Sequence, residues 1–121
     1  MDLPRNAFKH ALAEMKPQVG LWSTLSSASI AEVVSQSGFD WILLDCEHSP
    51  NDVADLLPQL QALHGGTAAP IVRVAWNDPV LVKRTLDIGV QTILFPYVQT
   101  VEEADRKSTR LNSSHSQQSR M

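Results

Sequence analysis

The apolar run Trp41-Ile42-Leu43-Leu44 stops abruptly at Asp45-Cys46-Glu47-His48. Four to six apolar residues bounded by polar ones suit a strand buried on both faces, as in a parallel sheet. Asp45, Glu47 and His48 then place three ionisable side chains at the carboxyl end of that strand, where α/β barrels and open α/β sheets keep their chemistry. A second apolar run, Pro70-Ile71-Val72-Arg73-Val74, carries an arginine near its end. Taken alone, the polar stretch reads equally as a loop reaching water, His48 as a solvated loop histidine, and Arg73 as a pairing partner for Asp45. Cys46 reads as packing rather than as a nucleophile.

The elements that must position these residues follow from spacing. Phe8, Ala11, Leu12 and Met15 keep helical spacing over Asn6 to Met15, and Lys16-Pro17 ends that helix. Val19 to Trp22 is a first strand. Ser27 or Ser29 caps a helix to about Ser37, with Ile30, Val33 and Val34 on its buried side and Gly38 as its stop. After the strand 41–45, Ser49-Pro50-Asn51 opens a helix from about Asp52 to His64, with Val53, Leu56, Leu57, Leu60 and Leu63 as its apolar face. Pro58 inside it costs about 3 kcal/mol and predicts a kink. The strand 70–74 comes next, then a helix capped by Asn77 or Asp78 with Pro79 at its first position. That helix carries Val80, Val82, Leu86 and Ile88 and ends at Gly89; a fourth strand, Thr92 to Phe95, follows. Thr100 and Glu103 form a capping box for one more helix start. Strands alternating with helices predict a parallel sheet, either open and doubly wound or the first half of an eight-stranded barrel.

Composition narrows the function classes. The 121 residues suffice for one domain, and 10 Lys+Arg against 13 Asp+Glu give a net charge of -3, so no basic footprint for nucleic acid is expected. Lone Cys46 excludes an internal disulfide, and no Cys/His zinc spacing exists. No GxGxxG or GxxxxGK[ST] follows the first strand. The first residues lack the apolar core of a secretory signal and no run reaches membrane-spanning length, so a soluble cytoplasmic protein without a membrane partner is expected. His10, His64 and His115 have no partner pattern. After Ala104 the chain turns rich in Ser, Arg, Asn and Gln, and Asp105 to His115, DRKSTRLNSSH, resembles a translated sequencing-library adapter. Residues 1–104 are therefore expected to be the domain, and 105–121 a non-native or disordered tail.

The stretches GLWSTLSS, GFDWILLDCEHSPND and PIVRVAWNDPVLVKRTLDIGVQTILFPYVQTVEEA together resemble the amino-terminal half of the HpcH/HpaI aldolase family. The resemblance covers Leu3 to Ala104. It implies an α/β chain forming the amino-terminal half of a (β/α)8 barrel, with about four parallel strands. It also implies a metal-dependent class II pyruvate aldolase, a lyase that cleaves 4-hydroxy-2-oxo acids to pyruvate and an aldehyde. By position, His48 matches the family's catalytic base and Arg73 the residue that steadies the transition state and binds substrate. Asp87 matches the acid thought to raise the histidine's basicity, and Trp22 a pocket wall; Asp45 and Glu47 line the active-site mouth. Asp87 falls near the end of a crossover helix, so the favoured expectation is that it serves the histidine of a neighbouring copy. The family usually has Gly where this chain has Cys46. A divalent metal (Mg, Mn or Co) is implied, with its ligands beyond this chain, as are small oxo-acid and aldehyde partners and a homo-oligomeric parent. A half barrel leaves edge strands open and one sheet face uncovered, so the chain alone is expected to be aggregation-prone and inactive. The other reading is a non-catalytic half-barrel module that binds a small oxo acid or self-associates.

Overall fold

The computed structural model describes residues 4–105. The tail from 106 to 121, with His115, lies outside the described residues. Eight elements follow in order: α1 (Ala7–Ala13), β1 (Gly20–Ser23), α2 (Ala28–Ser35), β2 (Trp41–Asp45), α3 (Val53–His64), β3 (Ala69–Arg73), α4 (Pro79–Asp87) and β4 (Ile93–Leu94). The strands form one four-stranded sheet in the order β1-β2-β3-β4, and every pair is parallel. This is the alternating α/β architecture that the sequence predicts.

Local signals start the helices. The side chains of Asn6, Ser27, Asp52 and Asp78 each accept a backbone N–H from the first turn of α1, α2, α3 and α4. At α3 the box is reciprocal, since Asp55 also accepts the Asp52 N–H at 2.9 Å. Pro58 stays inside α3, and the helix continues through it to His64. Thr100 accepts the Glu103 N–H at 3.2 Å at the start of a helical turn over 101–105.

Alternation along the strands sorts their residues into two faces. Ile42, Leu44 and Val72 point to the helices and pack with Ala31, Leu56, Leu63, Ala68 and Val90. Truncating one such Leu to Ala typically costs about 2–5 kcal/mol.

Three helix faces differ from the pattern read in sequence. In α2 the buried residues are Ala31 and Ser35, whereas Ile30 and Val33 are exposed and Val34 only flanks the core. In α3 Gln59 is buried and Leu57 is exposed; in α4 Val82 and Thr85 are buried and Val80 is exposed. Close approach explains the first case. A Cβ on Gly66, in the turn after α3, would come within 2.5 Å of Ser35, so only small residues fit where that turn crosses α2.

The opposite face, concave in a barrel, carries Trp41, Leu43 and Asp45 on β2 and Ile71 and Arg73 on β3. It is less open than expected of a half barrel. The α1 segment lies across its lower part: Phe8 meets Trp41 edge to face at 6.4 Å, and Asn6 donates to the Gln91 carbonyl and to Thr92 Oγ1 before β4. Leu43 and Ile71 on this face are 2% and 6% exposed. Trp22 and Leu94, farther up, remain substantially exposed.

Candidate active site

Parallel pairing places Asp45 and Arg73 directly opposite each other, at the carboxyl ends of β2 and β3 and on the same face. The result is a two-point contact: Arg73 Nε donates to Asp45 Oδ1 at 2.9 Å and Nη2 to Oδ2 at 2.6 Å. From β1, the Trp22 indole donates to Asp45 Oδ2 at 3.2 Å, and its ring lies 4.8 Å from the Arg73 guanidinium carbon. The backbone N–H groups of Glu47 and His48 also point at Asp45 Oδ1, at 2.9 and 3.5 Å, so this carboxylate folds the turn that follows its own strand.

Asp45 is 1% exposed, a costly place for a charge unless it is paired. Burial pushes its carboxyl up. The Arg73 hydrogen bonds, the Glu47 N–H, the Trp22 indole and the guanidinium charge together outweigh that push and hold it well below the usual carboxylate range. The Asp45 hydrogen bond raises the Arg73 value in turn, against the opposing effect of burial. Asp45 is thus a fixed anion that orients its neighbours. It is not a proton carrier near neutral pH.

The charges continue outward. Arg73 Nη1 lies 3.0 Å from Glu47 Oε2, and Glu47 Oε1 lies 3.4 Å from His48 Nε2. Glu47 is nearly buried, whereas the His48 side chain is 68% exposed. Arg73 has five donors in all; two go to Asp45, and Nη1 faces Glu47. An exposed imidazole linked through a carboxylate to a guanidinium is a combination that can move a proton and hold a carboxylate or oxyanion.

Sequence reading missed a polar buttress beneath this turn. Ser49 Oγ donates to the Asp45 carbonyl; Asn51 Nδ2 donates to the same carbonyl at 2.8 Å. Gln59 Nε2, from α3, donates to Asn51 Oδ1 at 2.8 Å. Asn51 and Gln59 are buried, so Ser49-Pro50-Asn51 ties the turn to α3 and does more than open a helix. The available signal was Gln59 itself, a polar residue between Leu56 and Leu63 on the apolar face.

Cys46 packs against the core, and burial first, then the charges of Asp45, Asp52 and Asp55, push its thiol up to about 11. It stays protonated near neutral pH, as a packing residue would. Asp87 is the last residue of α4 and is exposed. In a parallel sheet that helix returns the chain to the amino-terminal edge, so Asp87 and His48 sit at opposite ends of the strands and are not brought together. His10 and His64 are exposed.

The residues present do not fit a divalent metal. Among the described residues no group of three or more His, Cys, Asp or Glu side chains is placed to hold one, and Asp45 and Glu47 are committed to Arg73. Nor is any described helix long and apolar enough to cross a membrane.

Comparison with known proteins gives the family and the fold. The pattern of the HpcH/HpaI aldolase/citrate lyase family matches residues 18–120. A pyruvate aldolase of Rhizobium etli is 58% identical over 104 residues, covering 86% of this chain and 41% of that protein. A 5-keto-4-deoxy-D-glucarate aldolase of Salmonella paratyphi A is 54% identical over 101 residues, covering 84% and 40%. The crystal structure of an HpcH/HpaI aldolase/citrate lyase family protein from Burkholderia cenocepacia superimposes with a TM-score of 0.80 at 41% identity, over 83% of this chain and 40% of that one. The chain thus spans about 40% of the length of these relatives.

Proposed function

Because this chain belongs to the HpcH/HpaI aldolase/citrate lyase family, we propose that it forms the amino-terminal, four-stranded part of a class II pyruvate aldolase. That enzyme cleaves 4-hydroxy-2-oxo acids to pyruvate and an aldehyde, as an oligomer in the cytoplasm. The observation that carries this reading is the Arg73 fork at a strand end, clamped by Asp45 and Glu47 with His48 alongside.

The chemistry needs few groups. In the cleavage direction a base takes the proton of the 4-hydroxyl, the C3–C4 bond breaks, the aldehyde leaves, and the electron pair remains as the enolate of pyruvate. Protonation at C3 completes the turnover. His48 is the proton carrier, and the Arg73 guanidinium holds the carboxylate or enolate oxygen. Trp22 keeps the guanidinium in plane and walls the pocket. Asp45 holds Arg73, and Glu47 orients the imidazole. The divalent metal implied by the family resemblance needs donors other than the described residues, so this chain alone is expected to show no turnover. Asp87, remote from its own His48, serves the His48 of a neighbouring copy; an oligomer structure without that approach overturns the assignment. The domain is taken to end near Ala104, with 105–121 foreign to it.

The test is to sequence source DNA past the Ala104 codon, express the continuing frame with divalent metal, and follow pyruvate release from 4-hydroxy-2-oxo acids. Release is expected, with a loss of about 10²–10⁴ in rate for His48→Ala and 10²–10³ for Arg73→Lys. A frame that releases no pyruvate, or turnover by the 121-residue chain alone, overturns the reading.

A further inference from the structure

The turn that carries His48 is fastened on two sides. On the concave side the Asp45 carboxylate accepts the Glu47 N–H at 2.9 Å and faces the His48 N–H at 3.5 Å. On the side of α3 the Asp45 carbonyl accepts from Asn51 Nδ2 at 2.8 Å. Gln59 Nε2 in turn donates to Asn51 Oδ1 at 2.8 Å and to the Asp55 carbonyl at 2.9 Å. Asn51 and Gln59 are 5% and 1% exposed, so water does not compete for these bonds. The His48 imidazole is itself mostly exposed and meets Glu47 at 3.4 Å. Packing does little to place such a ring; the backbone of the turn places it.

Gln59 stands beneath that turn at a cost. Its Oε1 is buried without a hydrogen-bond partner among the described residues, and a buried orphan acceptor destabilises a fold. Leu56 and Leu63, on the same face of α3, are fully buried, so an apolar side chain would suit the position on stability alone. The donor end of Gln59 has a definite consequence. By holding Asn51 Oδ1 it turns the Asn51 Nδ2 toward the Asp45 carbonyl, and the other orientation of that amide would set oxygen against oxygen.

We propose that Asn51, oriented by Gln59, is a positioning residue. It sets the turn so that the His48 imidazole stands where the proton is transferred, and it acts on the rate through His48. The inference rests on the aldolase reading given above.

The test uses the frame that continues past Ala104, with divalent metal, and follows pyruvate release. Asn51→Ala removes the donor to the turn and leaves the side chains that hold Arg73 in place. It should lower kcat about tenfold to a hundredfold with KM unchanged within about twofold. Gln59→Met, similar in length but without either polar end, frees the Asn51 amide to turn and should lower kcat about threefold to tenfold. In a His48→Ala background both substitutions should lose their effect, with residual rates within about twofold of His48→Ala alone. Circular dichroism checks that each variant is folded, and Gln59→Met carries the test if Asn51→Ala is not. A purely structural role moves the urea midpoint but leaves the kcat of the folded enzyme at its wild-type value, and that result overturns the proposal. So does an equal fall in the His48→Ala background, which puts the effect on another group. In both cases release by the wild type leaves the aldolase reading standing. If the wild-type frame releases no pyruvate, that reading fails and the positioning role fails with it.

Discussion

The two rims of this sheet use the same kinds of polar residue for different ends. At the amino-terminal rim, polar side chains bind backbone and, at Thr92, a hydroxyl. Asp40 accepts the Val19 N–H at 2.8 Å ahead of β1, and Asn6 donates to the Gln91 carbonyl and to Thr92 ahead of β4. These bonds hold neighbouring segments together. At the carboxyl rim Asp45, Ser49 and Asn51 bind backbone too, but side chains also bind one another, from Asp45 to Arg73 to Glu47 to His48, ending at an exposed imidazole. One rim consumes its polar groups in fastening the fold. The other extends a line of charged side chains to the surface, and that distinguishes a reactive rim from a structural one.

The largest test of the contrast is Asp45→Ala. It leaves Arg73 largely buried without its main partner and should cost about 3–5 kcal/mol, read from the urea midpoint. A loss below 1 kcal/mol would mean the upper cluster is not a buried network. Gln59→Leu comes next: it strands the Asn51 side chain beneath the turn and should cost about 1–3 kcal/mol, with broadened backbone amide signals at Glu47 and His48.

Acidity gives a third test. Asp45 titrates below the usual carboxylate range when folded, so the stability it supplies is present above the ordinary pKa of about 3.9 and drains away as pH falls toward the lower folded value. The wild-type urea midpoint should therefore fall more steeply from pH 5 to pH 2 than that of Asp45→Asn. Cys46 acts at the other end. Its stabilising contribution is intact below its ordinary value of 9.0 and is lost as pH rises through about 11, a loss that Cys46→Ala should lack. Smallest of all are the lower-rim and edge changes. Asp40→Ala should cost about 0.5–1.5 kcal/mol, and exposed Asp87→Asn should stay within about 0.5 kcal/mol.

How much was legible in sequence depends on the range of the interaction. The caps at Ser27, Asp78 and Thr100 were readable because a cap and its target N–H lie within three residues. Strand β2 was readable to the residue because an apolar run ends where burial ends. The buried sides of α2 and α3 were misread, since helical periodicity cannot show that Gly66 presses on Ser35 or that Gln59 must reach Asn51.

The sequence by itself determined the alternation of strands and helices, the position of each helix start, and the gathering of Asp45, Glu47 and His48 at a strand end. Those follow from local spacing, capping and burial. Only the tertiary structure decided that Asp45 is a fixed anion and Glu47 the link to His48. Strand register places Arg73 opposite Asp45 from 28 residues away, and pairing at that distance is set by the packing of the whole sheet.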